Sequence, residues 1–380
     1  MKTVNVTLDY AAVTGGSAES VRQFEDALGS STISFTAPEL LPQAVRSPNV
    51  LHVPVGGSAL ARVYARPNPA ALRGAEEALR GSDLIFCHKL FRFHNDWVYR
   101  TAQRLRIPYC VVPHGSLDPY AFTYRRLRKA LWMASVGKRF FTGAAGFIFA
   151  TRREMEKALD RVPKGRAWVV NWPTPGAVPA EMNSSPEKTR KRLGIASGER
   201  LLLFLGRLHP MKRPLETIAA FGRARISGVH LAMAGPDDAY TSSDLLAFAR
   251  QRGIGNVHAV GAVYGKEKWD LYHSCDGFIN LSARENFGFT VAEALAAGLP
   301  VLLSRGNDLI SDIRHTGCGW FLEDDSEQSV AGAIRDFAEA APATLGEMGA
   351  RGKAWACANT SMERFMCNLL GVCREVVGHD

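Results

Sequence analysis

Short apolar runs alternate with amphipathic stretches along nearly the whole chain. Residues 3–8 (TVNVTL) alternate in polarity as a strand does, 13–19 (VTGGSAE) turns, and Phe24 and Leu28 fall within a following helix. Apolar runs at 49–53, 83–87 (DLIFC), 108–112 (PYCVV) and 167–170 predict further strands, and helical spacing predicts helices near 68–80 and 94–105. The proline-rich segment 171–185 (NWPTPGAVPAEMNSS) has no periodicity and reads as a linker. After it, a helix at 186–193 opens the same alternation, with strands at 201–205, 230–234, 257–259, 277–281 and 301–304 and a helical tail from 326 to 377. Strand and helix in turn predict an α/β protein of two doubly wound parallel-sheet domains, 1–175 and 176–360, with a last helix near 360–380 packing back on the first.

The stretch from Ser282 to Ser304 departs from a plain core pattern. A loop ending in Asn286, Phe287 and Gly288 enters an apolar helix that Gly298 and Pro300 terminate. Glu285 stands just before this helix, and Glu293 lies inside it between Ala292 and Ala294. A buried carboxylate without a partner costs several kcal/mol, and the local sequence supplies Glu293 with none. Eight residues of helical rise would separate the two carboxylates by roughly 12 Å. That is too far for an acid/base couple acting on one bond, so they are expected to grip two parts of an elongated ligand.

Two further loops lie where strands end. The strand 201–205 runs into Gly206, Arg207 and Lys212, with Pro214 placed to begin a helix; two cations beside helix amides can neutralise a diphosphate, or they are ordinary solvated charges. The strand 109–112 runs into His114 and Gly115, at the carboxyl end where open α/β sheets collect ligands; the alternative is a turn histidine bonding a carbonyl. Gly15 and Gly16 suit either a phosphate-binding turn or plain turn chemistry.

Composition narrows the partners. The 380 residues fit two domains of common size, and 46% hydrophobic content supports two cores. Seven scattered cysteines without CxxC spacing indicate reduced thiols, with neither a disulfide framework nor a zinc site. Asp237-Asp238 and Asp324-Asp325 are adjacent pairs that read as turn or capping residues, so no metal is expected. The N-terminus lacks a signal pattern and the apolar run 140–150 is too short to span a bilayer, which implies a cytoplasmic protein. Residues 1–180 carry a net charge of +11 and the remainder −2, so an anionic partner is expected on the first half. Within it, 124–140 (YRRLRKALWMASVGKRF) reads as a basic amphipathic helix with Tyr124, Leu127, Leu131 and Ala134 on one face. It suits an anionic membrane surface, or else packs its apolar face on its own domain. No nucleic-acid-binding motif accompanies the charge, so a basic nucleic-acid-binding protein is disfavoured.

Five segments in register, PHGSLDP (113–119), GRLHPMKR (206–213), AGPD (234–237), GAVYGKEKWDLY (261–272) and ENFGFTVAE (285–293), resemble the retaining glycosyltransferases of family 4. The resemblance implies the GT-B architecture, two Rossmann-like domains facing across a cleft, and a sugar transferred from a UDP- or GDP-linked donor without a metal or other cofactor. It implies that Arg207 and Lys212 hold the donor diphosphate with backbone amides of Phe287, Gly288, Phe289 and Thr290, in a pocket that includes Gly206, Gly235 and Asn286. Glu285 would bond the donor sugar, Glu293 the ribose, and Val263 and Tyr264 would border the base. His114 and Gly115 would lie near the reaction centre, and Gly15 and Gly16 near phosphate or acceptor. A lipid-linked oligosaccharide at the inner face of the cell membrane, in bacterial surface polysaccharide assembly, is the expected acceptor. A nucleotide-sugar epimerase of the same architecture is the alternative enzyme.

Overall fold

The structure, a computed structural model, describes residues 1–11, 16–55, 67–174 and 186–378. Gly15 and most of the 171–185 segment lie outside them. The chain divides into two compact units, one of residues 1–173 with 362–380 and one of residues 174–361.

The first unit is built on a seven-stranded sheet whose paired strands are all parallel. Its strands are β1 (Thr3–Leu8), β2 (Ser31–Thr36), β3 (Val50–Pro54), β4 (Leu84–His88), β5 (Tyr109–Val112), β6 (Gly146–Phe149) and β7 (Ala167–Val169), in spatial order β3-β2-β1-β4-β5-β6-β7. Strands β1, β4 and β5 are buried along their length, as expected of a parallel sheet covered on both faces. The helix Met362–Val377 belongs to this unit: Phe365 lies edge-on to Phe24 and to Trp172, at 5.4 and 5.8 Å between ring centroids. Burying these rings fixes both the chain's end and Trp172 beside the sheet.

The second unit carries β8 (Arg200–Leu205), β9 (Val229–Ala234), β10 (Val257–Gly261), β11 (Gly277–Asn280), β12 (Val301–Leu303) and β13 (Gly319–Phe321), all parallel, in the order β10-β9-β8-β11-β12-β13. The loops leaving β8 and β9 touch backbone to backbone. A Cβ on Gly235, at φ +142°, would fall 1.8 Å from the Gly206 carbonyl oxygen, so only glycine fits there.

Strands β2, β6 and β13 are absent from the reading of the apolar pattern. In β2 the polar side chains are buried along with Ile33 and Phe35: Thr32, Ser34 and Thr36 are at most 1% exposed, satisfied through Asn5, the Tyr10 amide and His52. Hydrogen bonds from neighbouring strands make that burial tolerable, and apolar periodicity does not register it. Strand β6 hides inside the 140–150 apolar run, and β13 has three residues.

The 124–140 segment also differs from a single regular helix. Arg125 adopts a left-handed backbone at φ +52°, the helix runs Arg126–Trp132, and Met133–Gly137 form a π-turn before Lys138–Thr142. Its apolar face does not pack on its own unit: Tyr124, Leu127 and Leu131 are 71, 82 and 72% exposed.

Candidate functional site

In each sheet the strand order reverses at one point, between β1 and β4 in the first unit and between β8 and β11 in the second. Loops leaving adjacent strands there diverge to opposite faces and open a crevice at the carboxyl ends. Gly206 and Arg207 leave β8, and Glu285 follows β11, so the second unit's candidate residues flank its switch point.

Lys212 and Glu285 form an ion pair there, and both side chains are largely withdrawn from solvent. Backbone holds Glu285 in place. Its amide donates to the Gly306 carbonyl at 2.9 Å and its carbonyl accepts from Asp308 at 2.8 Å. Gly288 follows at φ +74°, where a Cβ would crowd the Glu285 side chain at 3.0 Å, and the helix Phe289–Ala296 begins. Phe287 is buried and meets Phe289 edge-on, which locks the loop that aims the helix N-terminus. First-turn amides have no partner within their helix, so this end offers donors and a positive dipole to an anion. Arg207 is the outlying cation, 61% exposed and paired with Asp238 at 2.7 Å. Asp238 is therefore more than a turn residue, as is Asp325, which accepts from Arg213 at 3.1 Å and from the Arg305 amide. Asp237 and Asp324 do cap turns, accepting from the amides of Ser242 and Ser326.

Glu293 is buried, as its sequence context demands, and its partners come from the helix Gly265–Ser274. Lys268 Nζ lies 2.6 Å from one carboxylate oxygen, and the Tyr272 hydroxyl lies 3.0 Å from the other. Burial and the Glu293 charge push the Tyr272 phenol well above its ordinary value, so it stays a proton donor. Val263 is buried and Tyr264 is 69% exposed at the start of that helix.

In the first unit, register places His88, the last residue of β4, opposite Val112 of β5, two residues before His114. His114 takes a left-handed conformation (φ +50°) and Gly115 another (φ +70°), so the chain turns sharply at the strand end. The Gly115 amide donates to Glu154 at 2.5 Å, and the other oxygen of Glu154 accepts from Ala150 at 2.8 Å, which ties the turn down. His114 stacks on His88 with ring centroids 5.2 Å apart and lies 5.7 Å from Trp172. Burial, then the Lys89 ammonium, pushes His114 down to about 3, and burial holds His88 well below its ordinary value. Both imidazoles are neutral at physiological pH. Lys89 is lowered to about 8 by burial, and its ammonium donates to the Leu8 carbonyl at the end of β1, on the other side of the switch point. Gly16 begins the helix Gly16–Leu28.

Sequence reading missed His88, Lys89, Asn307, Asp308 and the Lys268–Tyr272 clamp. Lys268 and Tyr272 sit in the 261–272 segment, four residues apart and so on one helical face, which was the available signal. Asn307 is fully buried with its side-chain amide nitrogen unpartnered, near Gly288. Nothing in its local sequence marks it.

Among the described residues no group of histidine, cysteine or acidic side chains is arranged to hold a metal, and no helix is long and apolar enough to cross a membrane.

Residues 185–355 match the glycosyl transferases group 1 family, and residues 15–172 match the glycosyl transferase 4-like domain. A GDP-mannose:cellobiosyl-diphosphopolyprenol alpha-mannosyltransferase of Komagataeibacter xylinus is 32% identical over 155 residues, 40% of this chain and 39% of that protein. An alpha-monoglucosyldiacylglycerol synthase of Streptococcus pneumoniae is 33% identical over 162 residues, 41% of this chain and 35% of that one. These matches span less than half the length of either relative. The fold is similar over 99% of the chain to all of the Anabaena HepE structure in complex with UDP and glucose, at a TM-score of 0.75 and 16% identity.

Proposed function

The chain belongs to the group 1, family-4-like glycosyltransferases with the GT-B fold, and from that premise we propose that it moves a hexose-type sugar from a nucleotide-diphosphate sugar to an acceptor hydroxyl, retaining the anomeric configuration. The observation that carries the reading is the Lys212–Glu285 pair beside the N-terminus of the helix Phe289–Ala296 at the switch point of the second sheet. Before the donor binds, each side chain neutralises the other. An arriving diphosphate takes Lys212, and Glu285 turns to sugar hydroxyls. Arg207, released from Asp238, and the helix amides of Phe289 and Thr290 add to the anion grip, with Gly206 and Gly235 letting backbone approach closely. Glu293, held by Lys268 and Tyr272, is oriented to accept from ribose hydroxyls, and Val263 and Tyr264 border the base.

Breaking the sugar–phosphate bond leaves a cationic, oxocarbenium-like sugar and a growing charge on the diphosphate. Lys212, Arg207 and the helix terminus stabilise that charge as it develops, which lowers the barrier without a metal ion. The departing phosphate accepts the proton of the acceptor hydroxyl as that hydroxyl attacks the same face of the sugar. His114 is neutral in its pocket and so does not compete for that proton.

The acceptor in this reading is a lipid-linked saccharide in surface polysaccharide assembly, met at the cytoplasmic face of the membrane. The relatives named for a cellobiosyl-diphosphopolyprenol and for the synthesis of a monoglucosyldiacylglycerol support it. So does the exposed apolar ridge of Tyr124, Leu127 and Leu131 in a segment rich in arginine and lysine, which suits an anionic bilayer.

The test presents UDP- and GDP-linked hexoses with and without a lipid-diphosphate saccharide acceptor, in buffer containing EDTA. Acceptor-dependent sugar transfer with retained configuration is expected. Turnover of the nucleotide sugar to an isomer in the absence of acceptor would identify an epimerase instead.

A further inference from the structure

A concave site lies in the first unit between the start of the helix Phe93–Leu105 and the segment 125–136. It encloses about 490 Å³, within the size range of small-molecule pockets. Phe91, Phe93, Leu131 and Trp132 give it apolar walls. Trp132 is held edge-on by Phe91 at 5.0 Å and Phe141 at 5.8 Å, so that wall is rigid. Arg92, Arg125 and Arg128 also line it, and Lys129 stands over the Phe91 ring at 5.2 Å. Asp96, the one carboxylate among the described residues of the wall, accepts from Arg100 at 2.8 Å through one oxygen and faces Arg139 at 4.0 Å with the other, and it is outnumbered by the cations of the lining. The net field in the cavity is therefore positive over an apolar floor. Leu131 belongs both to the wall and to the exposed ridge with Tyr124 and Leu127, so the ridge leads into the pocket.

We propose that this pocket binds the lipid end of the acceptor: a single apolar chain on the aromatic walls, with its phosphate or diphosphate held by Arg92, Arg125 and Arg128. A soluble sugar would leave the aromatic surface unused, and a free phosphate would use only the cations. A bilayer surface presents headgroups rather than a chain to a concavity of this size, whereas one amphiphile satisfies both halves of the lining. The proposal rests on the lipid-linked acceptor reading and names where its lipid phosphate sits.

Farnesyl diphosphate, farnesol and inorganic diphosphate serve as probes, titrated into the full chain by calorimetry at fixed salt and without sugar donor. Farnesyl diphosphate is expected to bind saturably and at least about tenfold more tightly than either part alone, as expected when charge and apolar chain are both engaged. Leu131→Asp, and separately Arg125→Glu with Arg128→Glu, are expected to weaken it about tenfold or more, with far-ultraviolet circular dichroism and melting temperature reporting folding. UDP and GDP at saturation should not compete, because their phosphates bind in the second unit. The proposal is overturned by equal affinity for farnesyl diphosphate and inorganic diphosphate, by competition from UDP or GDP, by folded variants that bind as the parent does, or by binding to phosphatidylglycerol vesicles alone. Loss of sugar transfer to every acceptor while farnesyl diphosphate still binds would defeat the transferase reading and leave this site standing.

Discussion

His88 Nδ1 lies 2.9 Å from His114 Nε2, and the rest of the chain of bonds sets which nitrogen carries the proton. Asn5 turns its Nδ2 to Thr32 at 3.3 Å, so its Oδ1 accepts from His88 Nε2 at 3.1 Å. His88 Nδ1 is then a bare acceptor, and His114 Nε2–H must donate to it. His114 Nδ1 is left as an acceptor. Nitrogen-detected magnetic resonance should find His114 as the Nε2–H tautomer. His88→Phe keeps a ring against His114 and removes the bond; kcat should fall about tenfold, the order of a single hydrogen bond, with donor KM little changed. A folded His88→Phe enzyme with parental kcat would show that His88 only packs.

The depressed histidines give a signed pH dependence. His114 titrates near 3 and His94 near 4 when folded, against about 6.5 unfolded, so the unfolded chain binds more protons between those values. Their contribution to stability is full above about pH 6.5 and declines as pH falls from there toward 3–4. Chemical denaturation at pH 7.5 and pH 5 should show the parent losing more stability than His114→Asn. Equal losses would mean that His114 protonates freely in the folded state.

Lys212 is the cation paired with Glu285 at the second unit's switch point. Lys212→Ala should lower kcat/KM about a hundredfold or more, in the range for removing one transition-state contact to developing charge, and should lower the melting temperature as well, because Glu285 loses its partner, while the chain still folds. Near-parental transfer by a folded variant would remove the diphosphate role from this residue.

Glu293 is buried against Lys268 and Tyr272, so its two functions can be separated. Tyr272→Phe keeps volume and removes one hydrogen bond; it should raise donor KM several-fold and cost about 1 kcal/mol of stability. Glu293→Ala should be worse on both counts, because it leaves Lys268 without its buried partner. Unchanged donor KM in both variants, measured by initial rates, would make the carboxylate purely structural.

The hydrophobic pattern by itself determined most of the strands, both runs of strand–helix alternation and the burial of a carboxylate, Glu293, in the helix that follows Glu285. These follow from local periodicity and from the cost of burying a carboxylate such as Glu293. Tertiary structure alone decided the strand order, and with it the switch points that gather Gly206, Arg207 and Glu285 in one unit and His88 and His114 in the other. It also decided the partners. Lys268 and Tyr272 reach Glu293 from another helix, Asn5 reaches His88 from another strand, and Tyr124, Leu127 and Leu131 face outward where helical spacing alone allowed either side. The reason is physical: periodicity is a property of neighbours along the chain, whereas hydrogen-bond partners and exposed faces depend on which elements pack together, and no single segment encodes that.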